Sequence, residues 1–170
     1  MRIGIAGAGP AGLLFALLAK HRRADADIRI VEQNPRDATF GFGLVFSHGA
    51  LEFLARDAPQ MHATLTRVME TWPIQRIVHR DTSVDVDGNG FCAIERLSLL
   101  RLLAAECERA GVRIDYATPL TTLETFAGCD LVVGADGVNS LVRRAHEAAF
   151  RPRIEWLTNR FVWYGTTRHF

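Results

Sequence analysis

The feature that most constrains this chain is Gly7-Ala8-Gly9-Pro10-Ala11-Gly12, a G-x-G-x-x-G run. It stands between a short apolar stretch, Met1 to Ala6, and a series of helix formers from Ala11 to Lys20. A second apolar stretch, Ile28 to Glu32, follows the polar connection Arg22 to Asp27 and reads as a parallel strand. The first 32 residues therefore spell a βαβ unit, with Glu32 closing its second strand twenty residues after Gly12. The residue types have physical reasons. Gly7 permits the sharp turn, Gly9 lets the backbone approach a pyrophosphate, and Gly12 lets the helix pack close to the sheet. Phosphates would rest at the positive end of the helix dipole, while Glu32, with Gln33 beside it, would accept hydrogen bonds from ribose hydroxyls. NAD and FAD proteins share this fingerprint, so the choice of ligand needs a second signal.

The apolar run Ile3 to Ala19 is interrupted by Gly4, Gly7, Gly9, Gly12 and Pro10 and is preceded only by Arg2. It reads as strand, turn and helix rather than as an export signal or a membrane span. With 170 residues, 48% of them hydrophobic and 23% charged, the chain suits one main domain. A net charge of +1 without blocks of like charge supplies no long-range field toward nucleic acid or an anionic membrane, so a small-molecule enzyme is expected. Cys92, Cys107 and Cys129 are odd in number, far apart and without a CxxC pair, which suits a reducing, cytoplasmic setting. The histidines show no HExxH spacing and no G-x-S-x-G occurs, so neither a metal site nor hydrolase chemistry is expected.

Further along, Asn34 to Gly43 reads as loop, and Ser47 as the N-cap of a helix carrying Leu51, Leu54, Ala55 and Ala58. Ile74 to Val86 suggests a hairpin turning at Arg80-Asp81 and closed off by Asp87-Gly88-Asn89-Gly90. Leu99, Leu102, Leu103 and Ala110 mark a helix ended by Gly111. Val112 to Tyr116 and Leu131 to Val133 read as buried strands, and Asn139 to Ala149 as a helix. Arg160 to Phe170 reads as an aromatic, β-rich strand, which would lie at an edge or pair with protein outside this sequence.

The second signal is Cys129-Asp130-Leu131-Val132-Val133-Gly134-Ala135-Asp136-Gly137-Val138-Asn139-Ser140, followed by Arg143. A buried strand here runs into an acidic glycine turn and then a helix. Such a turn is either a second phosphate or ribose contact or a turn whose aspartate caps the helix. Together the two motifs, with about 120 residues between them, resemble those of the class A flavoprotein monooxygenases, the p-hydroxybenzoate hydroxylase-like family. The stretches Phe40 to Ser47 and Asn159 to Thr166 look like the branch of salicyloyl-CoA 5-hydroxylase, 2-aminobenzoyl-CoA monooxygenase and the violacein-pathway hydroxylase.

The resemblance implies an α/β fold: a Rossmann-like FAD-binding domain of the GR2 type, with a mostly parallel sheet and helices, then the first strand of a β-rich substrate domain. On that reading residues 1–158 are the FAD-binding domain, with a small inserted hairpin at about 72–90, and residues 159–170 begin a truncated substrate domain. It implies FAD as cofactor, NAD(P)H as reductant and a small aromatic substrate, with a CoA thioester or an indolic compound among the candidates. The cofactor-binding residues it implies are Gly7, Ala8, Gly9, Pro10, Ala11, Gly12, Glu32, Gln33, Gly43, Leu44, Arg96, Asp136 and Gly137. Arg96 opens an R-x-x-L-x-x-x-L helix as a flavin contact, and Gly41 and Gly43 would let a loop pass close to a flat cofactor. Trp163 and Tyr164 would face an aromatic pocket or cover a sheet, and Arg143, Arg144, Arg151 and Arg153 would meet a phosphate or be solvated. No side chain is marked as an acid or base, because the cofactor carries the chemistry in such enzymes. Members of the family continue for as many residues again or more, with a further Gly-Asp flavin motif. Two rival readings stand beside this one: a Rossmann dehydrogenase using NAD alone, and an inactive FAD-binding remnant.

Overall fold

The computed structural model describes residues 1–88 and 90–160. The chain opens as the expected βαβ unit: β1 (Arg2–Ala6), α1 (Pro10–Arg22) and β2 (Asp27–Val31). β1 and β2 pair in parallel with Ile3 opposite Ile28 and Ile5 opposite Ile30. Then come β3 (Gly43–Ser47), α2 (His48–Asp57), α3 (Pro59–Thr66), β4 (Glu70–Trp72), β5 (Gln75–His79), β6 (Thr82–Val86) and β7 (Phe91–Glu95). They are followed by α4 (Arg96–Arg109), β8 (Arg113–Asp115), a 3-10 turn (Leu123–Phe126), β9 (Leu131–Gly134), α5 (Leu141–Ala145) and α6 (Glu147–Phe150).

The main sheet has the order β8-β2-β1-β9, with every pair parallel. Ile3, Ile5, Ile28 and Ile30 belong to the principal core with Leu13 and Leu17 of α1 and Leu99 and Leu103 of α4. Ile5, Ile28 and Ile30 are fully buried, each contributing on the order of 1.5–3 kcal/mol. A smaller cluster of Ala6, Val31, Phe126 and Val142 packs separately. Central strands of a parallel sheet are covered on both faces, which is why β1 carries no charged residue after Arg2. Cys107 ties α4 to α1, its thiol donating to the Leu13 carbonyl at 3.1 Å. Burial, with Glu108 nearby, pushes that thiol up to about 12, so it stays protonated.

Ser47 caps α2 as expected, its Oγ accepting from Ala50 N at 3.3 Å. The helix stops at Ala58, because Pro59 cannot continue it and starts α3 instead. The hairpin forms from β5 and β6, turning at Arg80, whose φ of 54° is left-handed, and Arg76 pairs with Asp85 across it. Sequence reading missed the antiparallel sheet β3-β7-β4, in which Cys92 lies opposite both Phe46 and Thr71. β9, expected to be buried, leaves Leu131 and Val132 more than one-third exposed, since among the described residues it pairs only with β1 and forms an edge. The helix expected over Asn139 to Ala149 is two short ones that meet at His146. The strand expected over Arg160 to Phe170, with Trp163 and Tyr164, lies outside the described residues from position 161 onward.

Candidate dinucleotide site

The carboxyl ends of β2, β1 and β9 meet where the chain order along the sheet reverses, the place where open α/β sheets bind ligands. The glycine turn leaves β1 here. Gly7 has φ +98°, its N–H donates to Val31 O at 2.8 Å, and a Cβ on it would strike the Ala135 carbonyl at 2.5 Å. Gly12 lets the helix start close to the sheet, because a Cβ there would lie 2.1 Å from Gly7 O, just past β1, and 3.3 Å from Ala135 Cβ, just past β9. Gly9 differs, with nothing within 4 Å of the corresponding position. Gly9 caps α1 without a side-chain bond and Pro10 occupies its first turn, so the N–H groups of Ala11 and Gly12 stand at the positive end of the dipole.

Glu32 locks this turn. Its Oε2 accepts from Ala8 N at 2.8 Å, and its Oε1 accepts from Asn34 N at 2.8 Å and Asn34 Nδ2 at 2.7 Å. A carboxylate offers about four acceptor sites, so capacity for a sugar hydroxyl remains. Asp136 has a comparable dual position on the opposite wall. Its Oδ1 accepts from Ser140 Oγ at 2.6 Å, and its Oδ2 from Leu141 N at 2.6 Å and Val142 N at 3.3 Å, so it caps α5. Ser140 Oγ accepts in turn from Arg143 N at 2.9 Å, and the Arg143 and Arg144 side chains donate to the carbonyls of Val138 and Asn139. The turn that presents Gly137 is thus held from behind.

Between these walls lies a cleft of about 440 Å³, within the range of small-molecule and cofactor sites. Gly7, Gly9, Glu32, Gln33, Arg96, Asp136 and Gly137 line it, as does Arg144. A smaller cleft of about 80 Å³ adjoins it, sharing Gly9, Glu32, Asn34, Phe40 and Arg96, and adds Ala8, Thr39 and Tyr116. Burial pushes the Tyr116 phenol up from its ordinary range, and Arg36 sits 5.6 Å above its ring. Gly43 and Leu44 are set apart from both clefts. They lie in β3 opposite Glu95 and Ile94, and a Cβ on Gly43 would lie 2.9 Å from Ile94 O. Asn34, Thr39 and Leu120 line the clefts from connections that carry no periodicity, and Tyr116 lines the smaller one from just past β8, at the end of the strand expected over Val112 to Tyr116.

Arg96 begins α4, and its backbone N–H donates to Phe42 O at 3.0 Å. Its Nε is buried with no hydrogen-bond partner. Arg96 and Gly9 line the same clefts, and an arginine with an unpartnered N–H there suits a phosphate-bearing ligand. Among the described residues no group of three or more histidines, cysteines or carboxylates is arranged to hold a metal. The described part of the cleft contains no histidine, thiol or serine–base pair poised for acid–base or nucleophilic work.

Fold and site together have the arrangement of a dinucleotide-binding α/β domain. The chain is 36% identical over 171 residues to salicyloyl-CoA 5-hydroxylase of a Streptomyces species, an alignment covering 100% of this chain and 33% of that protein. It is 34% identical over 179 residues to protodeoxyviolaceinate monooxygenase of Chromobacterium violaceum, covering 100% of this chain and 46% of that protein. Among solved structures, the tetrameric form of 2-methyl-3-hydroxypyridine-5-carboxylic acid oxygenase is 26% identical with a TM-score of 0.71, covering 82% of this chain and 40% of that one. No family model matches the chain. The chain spans about a third to a half of the length of the curated relatives it matches. It thus resembles part of the FAD-dependent aromatic monooxygenases over its whole length, with the fold of flavin-dependent oxygenases.

Proposed function

We propose that this chain is the FAD-holding part of a monooxygenase that hydroxylates a small aromatic substrate with NAD(P)H and O₂. The observation that carries the proposal is the convergence of the Gly7–Gly12 turn, Glu32, Arg96 and the Asp136-Gly137 turn on one cleft. When bound, the flavin accepts electrons from the nicotinamide and activates oxygen for transfer to the ring. The protein's part is to bind and orient. Arg96 Nε and the N–H groups opening α1 would hold the diphosphate, and Glu32 would take ribose hydroxyls while keeping Ala8 in place. Gly137 would offer backbone to the cofactor from a turn that Asp136 and Ser140 keep rigid. Gln33 would extend the Glu32 wall, and Gly43 with Leu44 would reach the cofactor only beyond the two described clefts.

In this reading residues 1–158 form the cofactor domain with the hairpin at about 72–90 inserted, residues 159–170 begin the substrate domain, and the protein works in the cytoplasm. No helix among the described residues is long and apolar enough to cross a membrane. The relatives' names point to an aromatic ring carried as a CoA thioester or as an indolic compound. Purification of the chain and titration with FAD and NAD tests the reading. A yellow protein that binds FAD, with Arg96→Gln weakening it about tenfold or more, is the expected result. A colourless protein that binds NAD and not FAD would assign a dehydrogenase instead. An FAD-bound protein that oxidises no NAD(P)H with aromatic acids or indoles present would leave a binding remnant.

A further inference from the structure

Thr39 belongs to neither motif, yet it lines the smaller cleft, as Arg96 does. It lies in the connection between β2 and β3, which is fastened to α4 by two ion pairs, Arg36 with Glu108 at 2.5 Å and Asp37 with Arg101 at 2.8 Å. Ala38 N closes a turn onto Pro35 O at 3.0 Å just before it, and Arg96 N binds Phe42 O just after it. Held in this way, Thr39 lines the smaller cleft with Oγ1 buried and without a partner. Arg96 lines the same cleft, and its Nε is likewise buried and unpartnered. These two are the buried side-chain polar atoms lacking a partner among the described residues, and both belong to residues that line one cavity.

A buried polar atom left without a bond carries a desolvation cost that native structures seldom leave unmet. A hydroxyl can donate or accept, but a guanidinium only donates, so the group that serves both is an acceptor with several lone pairs. Negative charge on that acceptor would match Arg96. Glu32 lines both clefts, where its carboxylate would repel a bare anion but would accept from sugar hydroxyls. The pair therefore selects a phosphate that arrives attached to its ribose. Leu13, Leu100 and Ala104 form the apolar side of the cleft, where such bonds are less screened than in water.

We propose that Thr39 is a binding residue for the diphosphate of the dinucleotide, its Oγ1–H donating together with Arg96 Nε to a phosphate oxygen. This rests on the dinucleotide reading above. The test is isothermal titration of the purified chain with FAD, ADP and adenosine, for the wild type, Thr39→Val, Thr39→Ser, Arg96→Gln and the Thr39→Val/Arg96→Gln double variant. Thr39→Val, which keeps the shape and loses the hydroxyl, should weaken FAD and ADP about tenfold and leave adenosine unchanged. Thr39→Ser should come within about twofold of the wild type, and Thr39→Val should cost less in the Arg96→Gln background. An unchanged ADP affinity in Thr39→Val would overturn the assignment, leaving the hydroxyl to an ordered water, as would an equal loss for adenosine, the mark of a purely structural role. A wild type that binds none of the three ligands would overturn the dinucleotide reading itself and this assignment with it.

Discussion

A Cβ on Gly12 would lie 2.1 Å from the carbonyl oxygen of Gly7, whereas one on Gly9 would meet nothing within 4 Å. Two glycines of one motif therefore do different work. Gly12 is required by the protein's own backbone, and Gly9 leaves room for something else. Gly12→Ala should destabilise the chain by about 3 kcal/mol or more, since backbone must move to admit it. Gly9→Ala should keep the melting temperature within a few degrees of the wild type and lower FAD affinity. Thermal melts with and without FAD would separate the two effects, and a strongly destabilised Gly9→Ala would show that the open space is not there.

Asp136 accepts from one hydroxyl and two backbone N–H groups, and this predicts a structural share in its role. Asp136→Ala should cost about 1–2 kcal/mol in urea unfolding through loss of the cap, with Asp136→Asn intermediate because one oxygen remains. FAD affinity should fall in the same order. Full stability in Asp136→Ala would mean that the cap contributes nothing and that the residue serves the ligand alone.

The main sheet carries a pH dependence at its β8 edge. The Arg113 guanidinium, joined by Arg29 whose Nε lies 2.6 Å from Asp115 Oδ2, holds the Asp115 carboxyl below the usual carboxylate range. A folded value below the unfolded one means stability that is fully present above about pH 3.9 and lost as pH falls through the folded value. Asp115→Asn should therefore lower stability by about 1 kcal/mol at neutral pH, a figure kept small by the partial exposure of both partners. The gap between variant and wild type should close in acid. Urea midpoints measured from neutral pH into acid would test it, and a gap that did not narrow would remove Asp115 from the account.

The opening βαβ unit, its parallel pairing and the position of Glu32 were legible in the sequence. They depend on local matters: an apolar run of strand length, glycines where the backbone must turn or approach, and a helix pattern at the right distance. The same holds for the Ser47 cap and for the hairpin at Arg80. The sheet β3-β7-β4 was not legible, because Phe91–Glu95 becomes a strand by pairing with segments on both sides of it that are distant in sequence. Nor could local pattern tell that Leu131 and Val132 stay partly exposed, since strand order decides which strand is an edge.

The same division runs through the site. By themselves, the residues of the chain determined that a dinucleotide fingerprint and a D-G turn exist, because each is a short-range pattern with a backbone requirement of its own. Only the tertiary structure decided that they face each other across one cleft, that Glu32 and Asp136 spend part of their hydrogen-bonding capacity on the protein, and that Gly43 and Leu44 stand aside in a strand. Only it brought Thr39 and Arg96 to the lining of one cavity, since no spacing along the chain records which buried polar atoms lack partners. Satisfaction of buried polar groups is a property of packing, and packing is settled by the whole fold.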